Sequence, residues 1–219
     1  VILAGGLGTR LSEETRLRPK PMVEIGDMPI IWHVMKIYSF YGVNEFIICC
    51  GYKGEIIKEF FLNLLNNSSD FTIDVSNNNI NIHKKNNNSW KVTLVDTGYN
   101  TMTGGRLRRV REYLKKDENF FFTYGDGLSD IKINELVKYH NSKNVLATLT
   151  AVYPPARFGE LKLSGSKLIK FDEKPQLTNG WINGGFFVFN SKIFNFLDKK
   201  NEMLEREPVQ RLIKKKDFS

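Results

Sequence analysis

The apolar residues Val1-Ile2-Leu3-Ala4 run straight into Gly5-Gly6-Leu7-Gly8-Thr9-Arg10-Leu11, and Lys20-Pro21 follows a short way on. No other stretch restricts the fold as much. A short apolar run ending in glycines reads as a buried strand. Three glycines within four positions let the backbone turn sharply and bring its N–H groups up to an anion with no Cβ in the way. Arg10 and Lys20 set fixed positive charge beside the turn. A strand, a glycine loop and two cations predict a triphosphate site; a plain glycine turn beside a solvated arginine is the alternative. Two commoner glycine motifs are excluded. The P-loop needs Lys-Ser/Thr after its last glycine, and Gly8 is followed by Thr9-Arg10. The dinucleotide fingerprint needs a glycine where Leu11 stands.

The first half then alternates strand and helix. Asp27 is the expected cap of a helix with Pro29 in its first turn. That helix carries Ile30, Val34, Ile37 and Tyr41, and Gly42 closes it. Phe46–Cys50 reads as a second buried strand, and a second helix presents Ile56, Phe60 and Leu64 with Ile57 and Phe61 beside them. This rhythm predicts an α/β fold, Rossmann-like, with a mostly parallel sheet flanked by helices. Residues 66–90 are rich in asparagine and alternate at Phe71–Val75 and Ile80–His83, which predicts a surface hairpin, with low-complexity disorder as the alternative. Val92–Val95 is a third strand. Thr103 is the candidate cap of a helix carrying Leu107, Val110 and Leu114, and its glycine-lined N-terminus (Gly104, Gly105) is an expected anion or base-edge site. Arg106 opposes the dipole of that helix, as a functional group or as a solvated helix residue. Asn119–Tyr124 is a fourth strand that ends at Gly125-Asp126-Gly127, a carboxylate where open α/β sheets bind ligands. Asp130 is the expected cap of a helix over Ile131–His140.

In the second half, Val145–Val152 reads as a strand and Leu161–Leu163 with Lys167–Phe171 as short antiparallel strands about Gly165. Phe186–Phe189 is an apolar strand after Gly184-Gly185, and a last helix carries Ile193, Phe196 and Leu197. The expected organisation is a single domain over 1–219. Residues 1–130 form its nucleotide half and 131–219 its sugar-phosphate half, with no linker between them. The chain opens inside a strand and ends on Lys214-Lys215-Lys216 without a stop signal, so truncation at both ends is expected.

Charge narrows the partner. The net charge is +8, from 32 basic and 24 acidic residues, and it implies an anionic ligand. A nucleic-acid reader gathers its basic residues on one element; here they are spread, with short clusters at Arg106–Arg109 and Lys214–Lys216, so no nucleic-acid partner is expected. Cys49 and Cys50 are neighbours on a strand, where side chains point to opposite faces, so they are not expected to pair. With three histidines they make a zinc site improbable. No apolar run approaches the roughly 20 residues that span a bilayer, and no charged-then-apolar leader is visible. A reduced, cytoplasmic protein without membrane contact is the reading.

The pattern L-A-G-G-x-G-T-R-L followed by P-K-P resembles the sugar-1-phosphate nucleotidylyltransferases, and within them the cytidylyl-transferring branch that uses glucose 1-phosphate. The resemblance runs along essentially the whole chain. It includes Arg18-Pro19-Lys20-Pro21, Gly51-Tyr52-Lys53-Gly54, Asp96-Thr97-Gly98, Met102–Arg106, Tyr124–Gly127, Arg157-Phe158-Gly159, Glu173-Lys174-Pro175 and Ile182–Phe186. It implies that CTP and glucose 1-phosphate, with Mg²⁺, give CDP-glucose and pyrophosphate. It also implies a homo-oligomer, a hexamer, and a place in the supply of dideoxy sugars for surface polysaccharide (O-antigen). By the resemblance, Leu3, Ala4 and Gly5 meet the base and ribose, and Gly6, Gly8 and Thr9 cradle the triphosphate. Arg10 holds the β- and γ-phosphates, Lys20 the α-phosphate, and Asp126 the metal. Thr101 and Arg106 lie in the cytosine-reading segment and Gly125 lies against the ribose. On the acceptor side, Glu173 and Asn183 bind sugar hydroxyls, Lys174 binds the phosphate, and Gly159 and Gly184 leave space for the hexose. The family's second metal carboxylate falls beyond Ser219.

Plainer readings stand beside these. Lys20 and Lys174 could be solvated lysines before prolines, Glu173–Pro175 a turn, and Asn183–Gly185 a β-bulge. At the level of function the alternatives are transfer from UTP, dTTP or GTP, and a non-catalytic regulatory subunit that binds sugar nucleotides.

Overall fold

The computed structural model describes residues 1–7, 17–67, 70–84, 90–154, 160–165, 167–172 and 180–219. Gly8, Thr9, Arg10, Gly159, Glu173 and Lys174 lie outside the described residues.

The chain order is β1 (Ile2–Leu3), a 3-10 turn (Lys20–Met22), β2 (Glu24–Ile25), β3 (Met28–Pro29), α1 (Ile30–Phe40), β4 (Glu45–Cys50) and α2 (Gly54–Asn67). Next come β5 (Asp70–Asp74), β6 (Asn79–Lys84), β7 (Lys91–Asp96), α3 (Thr103–Arg109), β8 (Asn119–Tyr124), α4 (Ile133–Lys143) and β9 (Ala147–Val152). The chain closes with β10 (Glu160–Ser164), β11 (Lys167–Asp172), β12 (Ile182–Asn190) and α5 (Glu207–Lys214). Six strands form the central sheet in the order β7-β4-β1-β8-β12-β9. Neighbours from β7 to β8 run parallel, and β12 runs antiparallel to both β8 and β9. The Rossmann-like expectation holds, and both halves of the chain supply strands to one sheet.

Strand alternation sorts the core into two faces. Leu3, Cys49, Phe120, Phe122, Phe187 and Phe189 point to one side, where Leu107, Ile193 and Leu212 cover them. Ile2, Ile48, Cys50, Phe186 and Val188 point to the other, under Ile31, Val34 and Met35 of α1, Ile57 of α2 and Ile133 of α4. Cys49 and Cys50 are buried on opposite faces and free, as the strand register requires. The Asn-rich excursion forms the β5–β6 hairpin. No helix among the described residues is long and apolar enough to cross a membrane.

Several local expectations need correction. Asp27 caps nothing: it is exposed in the Gly26-Asp27 turn of a two-residue hairpin, β2 against β3, and α1 starts directly after Pro29. Asp130 lies three residues before α4, which begins at Ile133 with no side-chain cap. The helix expected to carry Leu107 through Leu114 breaks at Val110, and a 3-10 turn over Arg111–Leu114 completes it. Its apolar residues still share one face, since Leu107, Val110 and Leu114 are all buried. The segment with Ile193 and Phe196 is a 3-10 helix, Ser191–Phe196, capped by the Asn190 side chain on the Lys192 N–H.

Candidate active site

From β1 the chain proceeds to β4 and β7 on one side, while β8 lies on the other. The sheet order therefore reverses at β1/β8, and the carboxyl ends of strands at such a switch point form a crevice. Residues leaving both strands meet there. The Ala4 N–H donates to Cys49 O at 3.0 Å, and the Gly125 N–H donates to Leu3 O at 2.8 Å. A Cβ on Gly125 would stand 2.9 Å from Leu3 O and 3.1 Å from the Pro21 ring, so this close approach requires glycine. The crevice opens into a cavity of about 510 Å³ walled by Leu3–Leu7, Lys20, Tyr99, Thr101–Thr103, Arg106, Tyr124, Asp126 and Met203. A larger cavity, about 850 Å³, lies at the opposite ends of the strands, where β4 and β8 run past the start of β1; it lacks the glycine loop and the Lys20–Asp126 pair.

Lys20 and Asp126, separated by 106 positions in sequence, meet in the crevice with Nζ to Oδ2 at 2.6 Å. Both side chains are about one-third exposed, at 28% and 33%, so the pair is accessible to a ligand. Lys20 is thus not a solvated lysine before a proline. Lys20 sits on the 3-10 turn whose Pro21 and Met22 are buried, which fixes the stem of the side chain.

Arg106 is also not solvated: it is 4% exposed. Its guanidinium donates to Gly5 O at 2.7 Å, Cys50 O at 3.0 Å, Thr97 Oγ1 at 2.7 Å and Tyr99 O at 3.2 Å. One rigid planar fork thereby ties the first glycine of the loop to the ends of β4 and β7. Burial pushes the Arg106 pKa down. A Cβ on Gly5 would fall 2.1 Å from Arg106 Nη1 and 2.9 Å from Gly51 N, which accounts for glycine at this first position. Thr101 and Arg106 lie together on the cavity wall.

The α3 N-terminus differs from expectation. Its Gly104 and Gly105 N–H groups both donate to Glu202 O, at 3.0 and 3.2 Å, so they are not open to an anion. Thr103 does not cap the helix: its hydroxyl donates to Glu205 Oε2 at 2.6 Å and accepts from the Leu204 N–H at 2.9 Å. The two glycines serve close packing instead, since a Cβ on Gly104 would meet Glu202 O at 2.9 Å.

On the acceptor side, Asn183 reaches Tyr124: its Nδ2 donates to the Tyr124 hydroxyl at 3.2 Å, and its Oδ1 accepts from the Gly185 N–H at 2.8 Å. The register shift between Asn183 and Phe187 is the β-bulge, with Gly185 at φ +86°. Gly184 faces Thr150 O and Val152, each 2.9 Å from where its Cβ would stand, so strand packing fills the space its missing side chain leaves. Tyr124 in turn donates to Glu205 Oε1 at 2.6 Å. Burial and that carboxylate hold the Tyr124 hydroxyl protonated well above the ordinary tyrosine range. Sequence reasoning places Tyr124 within the Tyr124–Gly127 motif but assigns it no role, and it assigns none to Met203 or Glu205. Glu205, three residues before Pro208, carries no local signal of its role.

The arrangement suits a magnesium ion only as a shared ion. Among the described residues no three His, Cys, Asp or Glu side chains gather to hold a metal. Magnesium commonly takes one or two carboxylates and completes its shell with substrate phosphates and water, and Asp126 in an open crevice fits that pattern.

Residues 1–216 match the nucleotidyl transferase family model. Over 212 residues the chain is 52% identical to the glucose-1-phosphate cytidylyltransferase of Salmonella typhi, covering 97% of this chain and 82% of the relative. Its fold resembles that of HddC from Yersinia pseudotuberculosis (TM-score 0.65, 23% identity, 94% and 82% of the two chains). It also resembles that of a UDP-glucose pyrophosphorylase complexed with UDP-glucose (TM-score 0.64, 17% identity, 98% and 86%). A glycine loop, a Lys–Asp pair at the β1/β8 switch point and a family match over nearly every residue lead to one conclusion: this chain belongs to the nucleotidyl transferase family.

Proposed function

We infer that this chain transfers a cytidylyl group from CTP to glucose 1-phosphate, giving CDP-glucose and pyrophosphate. The observation that carries the reading is 52% identity, over 97% of the chain, to a protein of that activity. The crevice supports it with a cation and a carboxylate where two phosphorylated substrates would meet. A phosphate oxygen of the sugar phosphate attacks the α-phosphorus of the nucleotide. A P–O bond forms, the bond to the β-phosphate oxygen breaks, and pyrophosphate leaves in line. The attacking oxygen is already ionised, so no side-chain base is required. The main obstacle is repulsion between two polyanions, and positioning with charge compensation answers it.

In this reading Leu3, Ala4 and Gly5 meet the base and ribose through backbone groups, and Gly125 lies against the ribose. Lys20 leaves Asp126 for the α-phosphate and stabilises the charge that develops there. Asp126, freed of its ammonium partner, would be the residue that holds Mg²⁺. The ion would supply neutralisation of phosphate charge. Arg10, with Gly6, Gly8 and Thr9, serves the β- and γ-phosphates. Thr101 reads the base edge, while Arg106 holds the loop that receives it. Asn183 with Glu173 takes sugar hydroxyls, Lys174 takes the sugar phosphate, and Gly159 leaves space for the hexose, whereas Gly184 serves the packing of β12 on β9. Residues 1–130 and 131–219 are the nucleotide and sugar-phosphate halves of one domain. A cytoplasmic homo-oligomer belongs to the same reading.

Pyrophosphate release from glucose 1-phosphate and Mg²⁺ tests it, with CTP, UTP, dTTP, ATP and GTP offered in turn. Release with CTP alone is the expected result. Release with another nucleotide overturns the base. Binding of CTP without release points to the regulatory reading.

A further inference from the structure

The two walls of the crevice are joined through one carboxylate. Glu205 Oε2 accepts from the Thr103 hydroxyl at 2.6 Å, and Glu205 Oε1 accepts from the Tyr124 hydroxyl at 2.6 Å. Thr103 begins α3 directly after Thr101-Met102, and all three residues line the cavity. Tyr124 ends β8 two residues before Asp126, and its hydroxyl accepts from Asn183 Nδ2 at 3.2 Å. The ring of Tyr124 also packs on Gly185 of the bulge, whose Cβ would fall 3.0 Å from Tyr124 Cδ2. Glu205 itself does not line the cavity.

The segment bearing Glu205 is anchored independently. Glu202 O accepts from the Gly104 and Gly105 N–H groups in the first turn of α3, and the Leu204 N–H donates to the Thr103 hydroxyl. The Glu202 carboxylate, 6% exposed, accepts from the Lys199 N–H at 2.9 Å and from Arg211 at 3.0 Å. Leu204 is buried in the core. The backbone is pinned at 202 and 204, and beyond Glu205 the Arg206 N–H turns back to Met203 O at 3.3 Å, so Glu205 follows a held segment directly and is a fixed post. Hydrogen bonds to an ionised carboxylate are stronger than neutral ones, and this one makes two at once.

We propose that Glu205 is a positioning residue that locks the base-side wall of the crevice to its sugar-side wall, acting through Thr103 and Tyr124. The proposal rests on the assignment of the two walls to CTP and glucose 1-phosphate. Thr103 carries the constraint to the base segment. Tyr124 carries it to Asn183 and to the Gly125-Asp126 turn. The charge of the carboxylate matters because both partners are hydroxyl donors, and a neutral amide offers them only one oxygen.

Steady-state kinetics with CTP and glucose 1-phosphate, together with calorimetry of CTP binding, test this on Glu205→Gln, Thr103→Val and Tyr124→Phe. Glu205→Gln is expected to raise KM for both substrates by about tenfold, the scale of a lost charged hydrogen bond, with a smaller fall in kcat. Thr103→Val should raise KM for CTP, and its calorimetric Kd, more than KM for glucose 1-phosphate. Tyr124→Phe should do the reverse. Adding either change to Glu205→Gln should worsen the affected KM by less than the product of the single effects, because all three act as one unit. A Glu205→Gln protein that melts earlier but keeps both KM values overturns the proposal. So does full multiplicativity in the double variants. If Glu205→Gln does not fold, Thr103→Val and Tyr124→Phe decide alone, and equal effects of each on both substrates overturn it. A wild-type protein silent with CTP and glucose 1-phosphate fails the functional reading instead. The same calorimetric comparison then runs with whichever nucleotide the wild type binds.

Discussion

Arg106 and Lys20 are both cations at the same crevice, yet they have opposite circumstances. Lys20 is partly exposed and its partner is a carboxylate that a metal-bound nucleotide would claim. Arg106 is buried and its partners are three backbone carbonyls and a threonine hydroxyl. The first is placed to change partners; the second is a fastening. Lys20→Ala is expected to lower turnover by about two to three orders of magnitude, the scale of losing one preorganised electrostatic donor, while leaving the melting temperature within a few degrees. Near-normal turnover would remove Lys20 from the mechanism. Arg106→Met removes the guanidinium's hydrogen bonds to Gly5 O, Cys50 O, Tyr99 O and Thr97 Oγ1. Gly5 O keeps the Tyr52 N–H and Cys50 O keeps Thr97, so the cost is that of the lost charged bonds, roughly 1.5–3 kcal/mol each. A clear fall in stability, read by denaturant midpoint, is therefore expected together with weaker CTP binding, because the loop loses its anchor. The sequence exposes Lys20 readily, through the P-K-P pattern. It does not expose the burial of Arg106, because helix position alone leaves a solvated arginine and a buried one looking alike. Contacts with residues 56 and 101 positions away decide the matter.

At the level of elements, legibility follows how local the determining force is. Asn119–Tyr124 is recovered at its true limits, because a continuous apolar run bounded by a glycine turn is fixed by its own residues. The start of α1 is misread, because Asp27 has the right chemistry for a cap but the β2–β3 hairpin takes the turn around Gly26, at φ +64°, and hands the helix to Pro29. The glycines of α3 are read as an open anion site for the same reason: the chain that closes them arrives from Glu202, nearly a hundred residues later. One element-scale consequence is chemical. Burial pushes the Cys49 thiol up to about 12 and the Cys50 thiol up to about 11. The thiolate is the reactive form, so iodoacetamide at pH 8 should modify neither cysteine in the folded protein and both after unfolding, as counted by mass. Modification of the folded protein at either residue would show that β4 opens.

A second consequence concerns α4 and β9. His140 of α4 is 4% exposed, and its Nδ1 lies 2.8 Å from Thr148 Oγ1 of β9. Burial lowers its pKa below the ordinary value. The unfolded chain therefore binds a proton at a higher pH than the folded chain does. The contribution is fully present above the unfolded value, near pH 6.5, and is lost as pH falls from there through the lowered folded value. Denaturant midpoints measured from pH 7.5 to 5 should fall more steeply in the wild type than in His140→Gln. Equal slopes would remove His140 from the acid sensitivity.

For the whole molecule, the crevice is assembled from distant parts of the chain: Leu3–Leu7, Lys20, Thr101–Thr103 with Arg106, Tyr124 with Asp126, and Met203. The family pattern made most of these positions legible in order, since each motif carries its own glycine or charge. It did not show Met203 or the Glu205 tie, which exist only because the 202–205 segment folds back over α3. A site built from both sides of the sheet cannot persist when either side unfolds, so a ligand held there must be linked to global stability. CTP that binds only the folded state at a hundred times its Kd adds about 2.7 kcal/mol. For a chain of this size each kcal/mol moves the melting temperature by about 2–4 °C, so a rise of roughly 5–11 °C is expected with saturating CTP. Gly5→Ala should abolish most of that rise, because the added methyl would sit 2.1 Å from Arg106 Nη1 and break the fastening beneath the loop. Differential scanning fluorimetry with CTP, with GTP and without nucleotide reads all three cases. A rise confined to CTP agrees with the base assignment. An undiminished rise in Gly5→Ala would show that the loop receives nucleotide without the Arg106 anchor.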